Sequence, residues 1–150
     1  MHYCYLMRSH SDVKRFKQKV YIGYSTNPNR RIQQHNGGVQ AGGARETSGG
    51  DPWHLLLTIG PFPTKKEATA FEWAWQNPQR SRRIKSIGYS RAKFYARYKN
   101  PQYREAAHIQ VLEHCLEVNR WREMGLHLVI YDEDVETLIC NSYTGLHPFM

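Results

Sequence analysis

The stretch that decides the fold is residues 20–38, VYIGYSTNPNRRIQQHNGG. Its first part, Val20–Tyr24, is rich in β-branched and aromatic residues and predicts a strand. Asn27-Pro28 predicts a helix start, because asparagine can cap the first turn and proline is preorganised for the first helical position. The helix should run through Asn36 and end at Gly37-Gly38. This part of the chain is therefore predicted to be a strand followed closely by a helix.

Further elements are predicted on both sides of this unit. A strand over Tyr3–Arg8 precedes it, joined by a polar hairpin loop, and a glycine-rich loop over residues 37–50 follows it. The capping box Thr64-x-x-Glu67 opens a helix that should end near Asn77. The remaining predicted elements are strands over His54–Ile59 and Leu126–Tyr131 and a helix over Glu105–Arg120. The pattern predicts one α+β domain, a small and mostly antiparallel sheet flanked by helices.

Size and composition restrict the class of protein. The chain has 150 residues, enough for one ordinary domain, and 40% of them are hydrophobic, which is typical of globular proteins. No apolar run approaches the roughly 18–20 residues that a membrane span needs, and the N-terminus lacks a signal-peptide pattern. We therefore expect an intracellular protein without a membrane partner. The three cysteines form no C-x-x-C pair, which argues against a disulfide framework and a structural zinc site.

Basic charge is clustered along the chain. The formal net charge is +8, and no acidic residue occurs from Trp73 to Arg104. Aromatic residues are interleaved with this basic stretch, a combination typical of a polyanion site; the alternative is a solvated basic face. The candidate nucleic-acid-binding residues are Lys14, Arg15, Arg30, Arg80, Arg82, Arg83 and Lys85.

Glu72 is the most informative single residue. It shares the apolar stripe of its predicted helix with Ala68, Phe71 and Trp75. A carboxylate that faces a core costs several kcal/mol, on the order of 3–5, unless it is paired or bound to a metal. Glu72 is therefore either a metal ligand at the edge of the core or the partner of a buried arginine.

Four other residues are candidates for chemistry. Arg31 and His35 are four residues apart and share one helix face, where arginine can bind phosphate through two nitrogens and histidine can move a proton. Tyr5 and Tyr21 lie on two candidate neighbouring strands. A tyrosine hydroxyl can act as a general acid or base where nearby cations lower its pKa, and here basic residues and a metal would supply that positive field. Each pair alone is also explained by ordinary packing or surface exposure.

Together these residues resemble a known family, the GIY-YIG nucleases. Tyr21-Ile22-Gly23 matches the second half of the signature, and Tyr3-Cys4-Tyr5 occupies the place of the first. Arg31, His35 and Glu72 then follow in the order of the family's catalytic set. The sequence is most similar to the SLX-type structure-selective endonuclease subunits, on the motifs Arg30–Gly38, Gly42-Gly43-Ala44, Thr47-Ser48-Gly49, Pro52-Trp53 and Phe71–Gln76.

The resemblance implies a role for each residue. Tyr21 would activate or orient the attacking water, and Tyr5 would support it and contact the phosphate. Arg31 would stabilise the charged transition state, with His35 assisting. Glu72 would hold a single Mg²⁺ or Mn²⁺ on the scissile phosphate, a chemistry that suits one hard cation with oxygen ligands.

The resemblance also carries expectations about organisation. Residues 1–85 would form the GIY-YIG catalytic core, and residues 86–150 a basic segment, helix and closing strand of the same domain. The expected substrate is branched or flapped DNA, with structured RNA as an alternative, in a nuclear protein. A scaffold protein subunit and a homodimer are the partners to consider. The SLX-type subunits also carry a C-terminal cysteine-rich zinc module, which has no counterpart in this sequence. We therefore expect either a truncated catalytic domain or a shorter stand-alone relative, and pairing with the scaffold is open.

The signature itself departs from the family's pattern at two positions, and two alternative functions stay open. Tyr3 and Cys4 replace the first glycine and the isoleucine of the signature, but the catalytic tyrosine at position 5 is retained. A non-catalytic nucleic-acid-binding domain on the same fold is the main alternative, and the complete catalytic set argues against it. A site-specific nuclease of the homing or restriction kind would need a sequence-reading element, and none is recognised.

Overall fold

A four-stranded antiparallel sheet forms the centre of the protein. A computed structural model describes residues 1–85 and 104–142. Its strands are β1 (His2–Ser9), β2 (Val20–Ser25), β3 (Trp53–Phe62) and β4 (His127–Ile130), in the order β2-β1-β3-β4. All three strand pairs are antiparallel. The predicted α+β architecture is confirmed. The predicted break at Gly88 and the aromatic residues 89, 94, 95, 98 and 103 lie outside the described residues.

The alternation of side chains along β1 builds a separate core on each face of the sheet. Cys4 and Leu6 point to the larger core, which is covered by α2 (Lys65–Gln76) and α4 (Arg104–Glu117). Tyr5 and Met7 point to a smaller aromatic core with Phe16 and Trp53. Helix α1 (Pro28–Asn36) packs on the sheet, and its residue Ile32 contacts this smaller core. The two tyrosines of the signature therefore belong to the α1 face.

The helix starts follow the chemistry of their caps. The Asn27 side chain accepts a hydrogen bond from the backbone of Arg30 at the start of α1, and Thr64 accepts one from the backbone of Glu67 at the start of α2. Only half of the predicted capping box forms. The Glu67 carboxylate instead binds the Arg120 guanidinium, because a charged pair between two elements outcompetes a local cap. This pair joins α2 to the turn α5 (Asn119–Arg122).

The C-terminal part differs from the sequence-based prediction in two ways. The predicted helix over 105–120 is divided, because Val118 is extended and separates α4 from α5. An additional helix, α6 (Glu133–Ser142), was not predicted. Asp132 accepts hydrogen bonds from the backbone of Asp134 and Val135, and acidic residues at a helix N-terminus favour its dipole.

The remaining helical turn, α3 (Arg82–Lys85), follows α2 after a short loop.

None of the helices in the described ranges combines the length and apolar character needed to cross a lipid bilayer.

Candidate active site

Tyr5 lies directly over the backbone of Gly23. The two residues are opposite each other in the β1–β2 register, and Tyr21 is opposite Met7. A Cβ atom at Gly23 would lie 2.2 Å from the Tyr5 hydroxyl oxygen and 2.3 Å from its ring. The glycine of the Tyr-Ile-Gly motif is thus required by the close approach of a phenol from the neighbouring strand. Both tyrosines come to the same face of the sheet.

A chain of hydrogen bonds continues from Tyr5 into the loop after α1. The Tyr5 hydroxyl is 2.7 Å from Nε2 of His35, and Nδ1 of His35 is 2.8 Å from the Thr47 hydroxyl. The Thr47 hydroxyl is also 2.9 Å from the carbonyl oxygen of Ala44. His35 and Thr47 are both buried. Four groups on three different elements are therefore connected in one line.

The direction of each hydrogen bond in this line follows from the carbonyl at its end. A carbonyl can only accept, so the single hydroxyl proton of Thr47 is donated to Ala44. The Thr47 oxygen must then accept from His35, which places the imidazole proton on Nδ1. Burial, with the Arg31 charge, lowers the pKa of His35 to about 4, so the ring is neutral near pH 7. Nε2 is consequently an acceptor, and Tyr5 donates to it.

The second tyrosine has a different environment. The Tyr21 ring contacts His35 edge to face, with 5.2 Å between centroids. Its hydroxyl makes no hydrogen bond with residues 1–85 or 104–142. Because the proton of Tyr5 is committed to His35, Tyr21 is the phenol able to exchange a proton with a bound water. The structure thus gives the two tyrosines distinct chemical capacities.

Arg31 is held beside this pair by the glycine-rich loop. Its Nη1 donates to the Gln34 side-chain oxygen at 3.1 Å and to the carbonyl oxygen of Gly42 at 2.6 Å. A terminal guanidinium nitrogen has two hydrogens, so these bonds fix the orientation of the plane. Gly42 has a positive φ of 95°, a conformation that favours glycine.

Glu72 approaches from the other face, near the edge strand β2. One turn further along α2, Gln76 donates to the Ile22 carbonyl at 2.8 Å, which anchors the helix against that edge. Glu72 is partly buried and makes no ion pair or hydrogen bond within the described ranges. Burial raises its pKa. The alternative of a buried arginine partner is not observed in this part of the chain.

The charged side chains of the described residues do not by themselves lower the pKa of the tyrosines, a shift that the sequence-based prediction assigns to basic residues together with a metal. Burial instead raises the pKa of Tyr5, Tyr21 adds to the rise, and Arg31 opposes it. Burial likewise raises the pKa of Tyr21, with Glu46 and Glu72 adding to it and Arg31 opposing. One arginine does not offset desolvation of a phenolate, so further positive charge is needed to ionise either hydroxyl.

The other predicted residues lie in three separate parts of the chain. Lys14 and Arg15 are exposed on a short turn in the β1–β2 connection, and Arg30 is exposed on α1. Arg80 and Arg82 are exposed after α2, where Arg83 is partly buried over the Trp121 ring. Lys85 is the last residue of α3.

Thr47 is the residue at the site to which sequence reasoning gave no role. The motif Thr47-Ser48-Gly49 was recognised as part of the resemblance, but its place beside His35 depends on how the loop folds back. A threonine in a glycine-rich loop is an ordinary residue, so its spacing carries no signal. The described residues contain no group of three or more His, Cys, Asp or Glu side chains able to bind a metal.

Two phenols and a fixed guanidinium lie on one face of a small antiparallel sheet, and a carboxylate without a partner among the described residues lies near its edge strand. Groups of these types are suited to the chemistry of phosphodiesters. The family model described as the GIY-YIG catalytic domain matches residues 1–85, and the chain belongs to this family. Nucleases of this family use divalent metal ions.

Several relatives are structure-specific endonuclease subunits. The mouse protein named structure-specific endonuclease subunit SLX1 is 40% identical over 130 residues, which is 84% of this chain and 44% of the mouse protein. The human protein of that name is 38% identical over 130 residues, 84% of this chain and 43% of the human protein. The Xenopus laevis protein is 42% identical over 114 residues, 76% of this chain and 38% of that protein. The chain thus spans less than half the length of these relatives.

Proposed function

We propose that this chain is the catalytic domain of a structure-selective endonuclease that hydrolyses phosphodiester bonds in branched or flapped DNA. The observation that carries the proposal is that the two tyrosine hydroxyls differ in their hydrogen bonds. Tyr5 is committed to the His35–Thr47 line, whereas Tyr21 keeps an unpaired hydroxyl in the described part of the protein.

In the proposed reaction, each residue acts through the group that the geometry makes available. Tyr21 orients the attacking water and, once ionised, accepts its proton while the water oxygen bonds to phosphorus and the P–O bond to the leaving group breaks. Arg31, fixed through Nη1, stabilises the negative charge that develops on the phosphate. Tyr5 supports the site as a hydrogen-bond acceptor. Its proton is donated to His35, so only its oxygen lone pairs remain available.

The metal proposed for this site is a single Mg²⁺ or Mn²⁺. Glu72 would hold it, since it is an unpaired oxygen ligand, and such ions bind through one or two carboxylates together with substrate phosphates. When bound, the ion supplies the positive charge that Arg31 alone does not.

The partner and the cellular location are also proposals. The named relatives are subunits, so we propose a scaffold protein as partner. Separately, we propose a nuclear location. The division at residue 85 into a catalytic core and a second part of the same domain stays a prediction. Structured RNA is a second substrate to test, since phosphate contacts do not discriminate bases.

The decisive experiment compares Glu72→Gln with wild type on a panel of flaps, forks, four-way junctions, duplexes and single strands. Mg²⁺ and Mn²⁺ are varied on each substrate. We expect wild type to cut the branched molecules, and Glu72→Gln to bind them with similar affinity but not to cut them. Glu117→Gln is the matched control, because Glu117 is exposed on α4, and it should cut normally.

Two results would contradict the proposal. Normal cleavage by Glu72→Gln would remove its metal-binding role. Binding of branched DNA by wild type without cleavage in either metal would favour the non-catalytic binding domain instead.

A further inference from the structure

A cleft of about 350 Å³ opens beside the second half of α2. Helix α2 contributes Ala70, Trp73 and Ala74 to it, and the segment that follows contributes Arg80, Arg82 and Arg83. None of the residues that play a role in the proposed hydrolysis lines this cleft. It is therefore a separate surface feature, hereafter the Trp73 cleft.

Trp73 is unusual for its element. The other aromatic residues of α2, Phe71 and Trp75, are at most 1% exposed, whereas Trp73 is 45% exposed. Its small helix neighbours Ala70 and Ala74 leave the indole accessible along one side. A tryptophan exposed to this extent offers a broad apolar surface for a planar ligand.

The charge of the cleft indicates which planar ligand fits. Among the residues that the structure describes, three arginines and no carboxylate line it. Arg83 is positioned by its place over the Trp121 ring, 5.4 Å from the centroid. A basic groove next to a stacking aromatic is the combination by which proteins hold single-stranded nucleic acid. A protein segment would have to be both acidic and aromatic to match the same features.

The position of the cleft relates it to the site of cleavage. Trp73 directly follows Glu72 on α2, so their side chains leave the helix about 100° apart. A strand whose phosphate lies at Glu72 therefore has the cleft on the adjacent helix face. We propose that the Trp73 cleft binds an unpaired nucleotide of the substrate, with its base stacked on Trp73 and its phosphates on the arginines. This inference rests on the proposed function and names the feature of branched DNA that the domain recognises.

The test separates base stacking from phosphate binding. Affinity is measured by fluorescence anisotropy, in the Glu72→Gln background, for a flap with normal bases and for the same flap with abasic sugars in its single-stranded arm. Both carry the same phosphates. Stacking should make the normal flap bind about 5- to 150-fold more tightly. Trp73→Ala should bind both flaps equally, and Trp73→Phe should keep most of the difference.

The matched control is Tyr131→Ala. Tyr131 is 52% exposed after β4, away from the arginines of the cleft, and its removal should leave the preference for normal bases intact. The double variant Arg80→Ala/Arg82→Ala should weaken binding of both flaps alike. It should also flatten the salt dependence by about 0.7 per lost phosphate contact.

The failures of the two proposals are distinguishable. If Trp73→Ala keeps the preference for normal bases, with an unchanged melting temperature, the stacking site is refuted even though wild type cleaves flaps. If wild type shows the preference, and Trp73→Ala loses it, but no substrate is cut, the cleft is supported while the proposed reaction fails. If Trp73→Ala changes neither affinity but lowers binding of an acidic aromatic peptide, the cleft is a protein-docking surface and the inference is wrong.

Discussion

Replacing Thr47 with valine isolates the hydrogen-bond line behind Tyr5. Valine has nearly the shape of threonine but can neither accept from His35 nor donate to Ala44. Thr47 is 0% exposed, so water cannot replace the lost partners. A buried polar group left unsatisfied costs about 1–3 kcal/mol, and for a domain of this size each kcal/mol lowers Tm by about 2–4 °C.

The same substitution should change the chemistry and not only the stability. Without an acceptor at Nδ1, the neutral His35 lowers its energy by moving the proton to Nε2. Nε2 then donates to Tyr5, which reverses the bond and turns the Tyr5 proton toward the substrate side. We expect kcat to fall by about 10- to 100-fold, the usual effect of removing a group that orients a functional histidine. KM should change little.

The assay combines three readouts. Single-turnover cleavage of a flap substrate gives the rate, thermal unfolding gives the stability, and ¹⁵N chemical shifts of labelled histidine report the tautomer. Thr47→Ser is the matched control, because it keeps the hydroxyl, and it should retain the Nδ1-protonated form and most of the activity. A Thr47→Val protein that is less stable but cuts at the wild-type rate would refute the reasoning, as would an unchanged tautomer.

Three further predictions concern neighbouring residues. Arg31→Lys should lose about 10³-fold or more in rate, because lysine cannot keep both Nη1 bonds while contacting phosphate; full activity would show that charge alone matters. Tyr21→Phe should keep its stability within about 0.5 kcal/mol, since the hydroxyl has no partner in the described part, yet be nearly inactive in the flap assay; wild-type rates would reduce Tyr21 to a packing residue. The pKa of His35 falls from 6.5 to about 4 on folding, so the unfolded chain binds more protons between these values. The contribution of the neutral His35 to the free energy of unfolding should be fully present above pH 6.5. It should decrease by up to about 3 kcal/mol as the pH falls to 4. Denaturant titrations should show this loss in wild type but not in His35→Gln.

Local chemistry allowed the regular elements to be predicted. Asn27-Pro28 and Thr64 start their helices as expected, because capping is decided by residues adjacent in sequence. Helix α6 was not predicted, although acidic residues in its first turn are a local signal for a helix start. The cap at Asp132, followed by apolar residues at 135 and 139, carries the same local information.

The sequence by itself determined the composition of the site: two tyrosines on neighbouring strands, an arginine and histidine on one helix face, and a carboxylate on an apolar stripe. It also determined the family, because these residues occur in a characteristic order. Tertiary structure decided which tyrosine has a hydroxyl without a partner among the described residues. That distinction depends on Thr47, twelve residues from His35, being brought to Nδ1 by a loop whose path has no periodicity. It also decided the direction of the tyrosine pKa shifts, since burial is a property of the packed domain and not of the sequence.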